Sequence, residues 1–188
     1  MICSKCSKEF NSAQPRAVNV AEHPELKAKI QDGTFFLHKC PYCASLELDN
    51  EDFLYHDPEA HLLIALSSRD LSSDGLEGYT CRLVSSVGDL LEKLKIFEAG
   101  LDDIAIEICK FVTMQDLGKD LQLRFYKMEG SDGEIILAYP EKGQMQMLEI
   151  GQRVYSDAVG IMERTPELSR AASGLVKVDQ DWLCGFFK

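Results

Sequence analysis

Cys3-Ser4-Lys5-Cys6 and Cys40-Pro41-Tyr42-Cys43 are two C-x-x-C pairs, and the 33 residues between them must fold so that both ends meet. Two cysteines three positions apart on a tight turn can aim both sulfurs at one ion. A doubled pair is therefore the usual sequence sign of a tetrahedral four-cysteine zinc site. The metal set is Cys3, Cys6, Cys40 and Cys43, and the cofactor expected is Zn. Four sulfurs leave the ion no open position for water or substrate, so the site is expected to hold chain together rather than perform chemistry. Its four thiolates carry about two excess negative charges, which Lys5, Lys8 and Lys39 stand close enough to offset. His38, two residues before the second pair, reads as an ordinary strand residue.

Cys40-Pro41-Tyr42-Cys43 is also the dithiol tetrapeptide of glutaredoxins. That chemistry needs a helix directly after the motif to depress the first thiol. Ala44 to Asp49 alternates like a strand instead, and redox use would leave Cys3 and Cys6 without a purpose. The other three cysteines, Cys81, Cys109 and Cys184, lie among apolar neighbours and are expected to be buried thiols.

Working outward, Val18 to Val20 predicts a strand. Glu22 to Ile30 predicts a short helix, with Pro24 near its first turn and Gly33 just past its end. Thr34 to Lys39 predicts a strand that delivers the second pair. Phe53 to His56 and His61 to Leu66 flank Asp57-Pro58-Glu59-Ala60 as a hairpin. Residues 67–78, SSRDLSSDGLEG, mark a loop and the best boundary. The division expected is a zinc-ribbon region over 1–66 and an α+β region over 79–188, with one continuous domain as the alternative.

After a strand over Tyr79 to Val84, the apolar stripe Val87, Leu90, Leu91, Leu94, Phe97 predicts a helix with Ser86 and Asp89 as its capping pair. A second stripe from Leu101 to Val112 ends at Gly118, and the two helices together predict an αα-hairpin. Leu121 to Tyr126, Ile135 to Tyr139 and Met145 to Ile150, separated by Gly130-Ser131-Asp132-Gly133 and Glu141-Lys142-Gly143, predict an antiparallel meander. Helices over Arg153 to Glu163 and Pro166 to Ser173 follow, the latter with Thr165 as cap, then a strand over Val176 to Val178. Trp182, Leu183, Phe186 and Phe187 are apolar enough to dock the end of the chain. The fold class is α+β: a four-cysteine zinc ribbon joined to a mostly antiparallel sheet with an αα-hairpin.

The 188 residues contain 20 Lys and Arg against 31 Asp and Glu, a net charge of −11. That excess of acid gives no footprint for a polyanion and argues against nucleic acid and anionic membranes, even though Lys5, Lys8, Arg16 and Lys39 make the first part locally basic. No run approaches the roughly 20 apolar residues a membrane span needs, and the first ten residues lack the features of a signal peptide, so a cytoplasmic protein is expected. No phosphate-binding glycine loop, nucleophile elbow or H-E-x-x-H occurs. Asp102, Asp103, Glu107 and Lys110 line the polar side of the second helix. Acidic residues complementing the helix dipole plus a Glu107–Lys110 surface pair account for all four. Two functions follow. The first is a cytoplasmic interaction or regulatory protein built on structural zinc, with a protein partner or homo-oligomer. The second is a metal-dependent hydrolase or nucleic-acid-processing enzyme using Asp57, Asp103 and Glu107 with a hard ion.

The segments CSKC, VNVAEHPELKAKIQDGTFF, CPYC and FLYHDPEAHLLIAL resemble the CpXC domain of bacterial and archaeal proteins. CRLVSSVGDLLEKLKIFEAGLDDIAIEICK is similar to the helical segment that follows it, so the resemblance covers about residues 3–110. HPELK, LYHD and GLDD are the specific parts. Ser4 stands where a Pro is expected, and Ser7 and Ala44 stand where such knuckles often carry Gly. The resemblance implies the zinc site at the four cysteines and names no substrate.

Overall fold

In a computed structural model, residues 1–11, 14–69, 71, 76–131 and 133–187 are described. Residues 70 and 72–75 of the loop 67–78 and the turn residue Asp132 lie outside these. The chain divides into two compact units, Met1–Leu91 and Glu92–Lys188.

The first unit is built on a mixed four-stranded sheet. Strands β1 (Ala17–Asn19), β4 (Phe53–Asp57), β5 (Leu62–Leu66) and β6 (Thr80–Val84) lie side by side in the order β1-β4-β5-β6. The β4–β5 hairpin is antiparallel with Tyr55 opposite Ile64, whereas β1 joins β4 and β6 joins β5 in parallel. All five residues of β5 are buried, as a central strand covered on both faces requires. Helix α1 (Pro24–Gln31) has Pro24 in its first turn and ends before Gly33, whose φ of +82° is left-handed. A Cβ on Gly33 would also come within 3.0 Å of Leu91 Cδ1.

Thr34 to Lys39, expected to be one strand, begins instead as a 3-10 turn over Thr34–Phe36. The turn swings Phe35 and Phe36 onto Phe53, with ring centroids 5.2 and 5.1 Å away, which a straight strand would have pointed to opposite sides. Only Leu37–Lys39 is strand (β2), and it pairs antiparallel with β3 (Leu46–Leu48).

Helix α2 (Val87–Glu98) starts as expected, with Ser86 Oγ accepting from the Asp89 N–H at 3.1 Å, and it carries the chain from the first unit into the second. Helix α3 (Asp103–Leu117) begins at Asp102, whose carboxylate accepts from the N–H groups of Ile104 and Ala105, and stops at Gly118 in the left-handed region. It packs most closely on α4 (Gln152–Arg164) and α6 (Gln180–Cys184). The meander β7 (Arg124–Glu129), β8 (Glu134–Glu141) and β9 (Gln144–Ile150) is antiparallel throughout, as the sequence predicts. Ile135, Leu137 and Ile150 from the meander, Ile104, Ile108 and Cys109 from α3, and Leu168 and Leu183 form its core.

Three expectations fail in this second unit. Val176 makes an isolated bridge and Val176–Val178 is no strand. Thr165 precedes α5 (Pro166–Ala171) without a side-chain capping bond. Cys184 is exposed, because α6 is a single short turn that turns Leu183 inward and its neighbour outward.

Candidate metal centre

The two C-x-x-C pairs fold into the same turn. In the first, the Ser7 N–H donates to the Cys3 carbonyl at 2.9 Å and the Cys3 N–H donates to the Lys8 carbonyl at 3.0 Å. In the second, the Ala44 N–H donates to the Cys40 carbonyl at 2.9 Å and the Cys40 N–H to the Ser45 carbonyl at 2.8 Å. Closing each turn forces the residue after its second cysteine into the left-handed region, with φ of +57° at Ser7 and +60° at Ala44. Glycine would occupy those two positions without strain, and they are the positions at which the sequence departs from the usual knuckle.

The turns face one another and bring Cys3, Cys6, Cys40 and Cys43 together, with all four Sγ atoms within 4.8 Å of each other. Cys3 and Cys43 sulfurs are 3.5 Å apart and those of Cys6 and Cys40 are 3.7 Å apart. A regular tetrahedron with metal–sulfur bonds of about 2.3 Å has edges of about 3.8 Å, so the donor set fits a tetrahedrally bound metal ion. The short contacts run between knuckles, and Cys43 leads into strand β3 rather than a helix, so the arrangement that activates a glutaredoxin thiol is not formed here.

One residue of this centre escaped the sequence reading. Glu47 is buried and its carboxylate accepts from the Cys3 thiol at 3.2 Å, the Ser4 N–H at 3.0 Å and the Ser45 hydroxyl at 2.7 Å. The Ser4 and Ser45 bonds, with the Cys3 thiol, hold its pKa down to about 2. Alternation in Leu46-Glu47-Leu48 suggests leucines inside and the acid in solvent. The opposite holds, because the inner face of β3 looks at the thiols; Leu46 is 68 % exposed, and Leu37 and Leu48 face outward beside it. Among the thiols, the Ser45 side chain and N–H draw the Cys43 pKa down to about 6, while that of Cys6 is pushed up to about 12. Lys8 lies 4.6 Å from the Tyr42 ring centre. His38 is a strand residue, with Nε2 3.3 Å from the Asp49 carboxylate.

The other singled-out carboxylates are held elsewhere. Asp57 belongs to the first unit, where it accepts from Lys27 at 2.7 Å, from Tyr55 and from the Ala60 N–H of its own turn; its neighbour His56 points to Tyr79. Asp103 and Glu107 belong to the second unit and are buried with Lys110, so the expected surface pair is an internal network. Lys93 Nζ lies 2.7 Å from Asp103 and 3.6 Å from Glu107, and Lys110 Nζ lies 2.9 Å from Glu107 and also contacts Glu92. Glu92 accepts from the Phe125 N–H at 2.6 Å and has Arg124 at 3.4 Å, while Gln180 Nε2 donates to Glu107 at 2.7 Å. Burial alone would lower the Lys110 pKa; Glu107 and Glu92 outweigh it and raise it above the ordinary lysine value. The network's three cations and three carboxylates balance. Among the described residues, the cysteines are the one group of three or more such side chains placed to share an ion.

The family model described as "CpXC protein" matches residues 1–110. An "Uncharacterized protein" of Treponema pallidum (strain Nichols) is 34% identical over 62 residues, covering 31% of this chain and 28% of that protein. No solved structure matches. Among the described residues no helix is long and apolar enough to cross a membrane.

Proposed function

The chain belongs to the CpXC family, and we propose that it is a cytoplasmic interaction or regulatory protein whose first unit is held by structural zinc. The observation that carries the reading is the cluster of four sulfurs brought together by two equivalent knuckles. Cys3, Cys6, Cys40 and Cys43 would hold the ion, and zinc is the metal that four thiolates in this geometry favour. Zinc so bound contributes folding energy and no open coordination position. In this reading the knuckles with β2 and β3 are a zinc ribbon, and α2 and α3 are the helical hairpin that follows it. The outward leucines Leu37, Leu46 and Leu48 beside Lys39 support an interaction role, since a contiguous apolar face on a small ribbon is a surface suited to a partner.

The test is native mass spectrometry of protein purified without added metal, followed by chelation. One zinc per chain is expected, and its removal should lower the melting temperature and open residues 1–48 to protease. A metal-free chain with a Cys40–Cys43 disulfide, or a chelated protein as stable and protease-resistant as before, would overturn the reading.

A further inference from the structure

The meander in the second unit has two edge strands, and the sequence treats them differently. The β7 edge has a register shift between Phe125 and Lys127 and carries Arg124, Lys127 and Glu129 within six residues. Bulges and charges of this kind keep an exposed edge from pairing with another strand. The β9 edge, Gln-Met-Gln-Met-Leu-Glu-Ile over 144–150, has no such protection. Its register with β8 is regular from Ile135↔Ile150 to Glu141↔Gln144, it has no Pro or Lys, and its one charge is Glu149. Among the described residues no backbone hydrogen bond reaches its outer edge. Met145 and Met147 are 57 % and 53 % exposed, on the face they share with Glu149.

We propose that the outer edge of β9 pairs antiparallel with β9 of a second copy of this chain, about a two-fold axis through Met147, fusing two meanders into one six-stranded sheet. The strand is complementary to itself in that register. Met147 faces its own copy, Gln146 faces Leu148, Met145 faces Glu149 and Gln144 faces Ile150, so all seven residues pair. A two-fold axis normal to the sheet also keeps the two buried faces on one side, as strand alternation demands. The only charge meets a methionine. The two Glu149 side chains stand four residues apart along the strands, roughly 14 Å at about 3.4 Å per residue, beyond a Debye length of about 8 Å at physiological salt. Unbranched methionines adapt to such a contact more readily than branched side chains do.

The register makes one chemical change act in opposite directions at neighbouring positions. Met147→Lys sets lysine against lysine on the axis, and the dimer dissociation constant of the full chain should rise about tenfold or more. Met145→Lys sets lysine opposite the partner's Glu149 twice per dimer, and the constant should fall several-fold. Both variants remove one unit of net negative charge, so a bulk charge effect cannot separate them. Sedimentation equilibrium of the wild type and both variants, each shown by melting to be folded, reads the result. A wild type that stays monomeric up to several hundred micromolar overturns the proposal. So does a dimer that both variants leave unchanged or shift in the same direction, which would place the contact elsewhere.

Discussion

Replacing Ser7 and Ala44 with glycine should strengthen the metal centre. Both residues close a knuckle with φ near +60° and both side chains are exposed, so a substitution removes backbone strain and little packing. A left-handed L-residue costs about 1–2 kcal/mol. Glycine gives back roughly 0.5–1 kcal/mol through the greater freedom of the unfolded chain. The net gain is about 0.5–1 kcal/mol per knuckle, which is about two- to fivefold in affinity for an ion that binds only the closed form. Because the two turns make the same hydrogen bonds, Ser7→Gly and Ala44→Gly should act alike, and Ala44→Val should act oppositely, since a β-branched residue tolerates this region least. The assay is zinc competition against a chromophoric chelator, with thermal unfolding of the metal-loaded protein alongside. If glycine leaves affinity and melting unchanged or lowers them while valine costs nothing, the knuckles are not strained and the reasoning fails.

In the second unit, Lys110→Met should cost about 3–5 kcal/mol, because it leaves Glu92 and Glu107 short of a buried cation. Lys110→Met with Glu107→Gln restores the balance, so a denaturant titration should find the double variant more stable than the single one. The raised Lys110 pKa contributes stability fully present below the ordinary lysine value, near 10.4, and lost as pH rises through the folded value. Unfolding midpoints should accordingly fall only in strong alkali, and Lys110→Met should flatten that fall. At the other end, Asp57 and Asp49 are buried and held below the carboxylate range by hydrogen bonds, from Lys27 on Asp57 and from the Glu51 N–H and Arg16 on Asp49, against the opposing pull of burial. Their contribution is present above about pH 4, the unfolded value, and is lost as pH falls through the folded values. Lys27→Met should make the acid unfolding of the first unit begin at higher pH, as followed by circular dichroism.

The residues that read well from sequence are those whose local chemistry decides their structure. Paired cysteines close turns, Pro24 and Gly33 bracket α1, Ser86 and Asp102 start helices, and Gly118 ends one. What stayed hidden depends on neighbours distant in the chain. The parallel pairings β1–β4 and β5–β6 leave no mark on either strand's own pattern. Nothing in Leu46-Glu47-Leu48 marks the acid as the buried member of the alternation, because what it faces is a cluster of sulfur atoms from distant turns. The Glu107–Lys110 pair looked superficial by spacing, although Ile106 and Cys109 interleave with the stripe and make α3 apolar on nearly every side. A helix of that composition is buried all round, and its charges go inside with it.

The CpXC match stops at Lys110, in the middle of α3. A fragment ending there would keep Glu92, Lys93, Asp103, Glu107 and Lys110, and would lose the Phe125 N–H, Arg124 and Gln180 that complete their hydrogen bonds, along with the meander strands and helices that bury Ile104 and Ile108. The stretch that the family model marks out therefore holds the whole first unit but only the opening of the second, and an expression boundary drawn at its edge would leave half of α3 with its apolar sides in water.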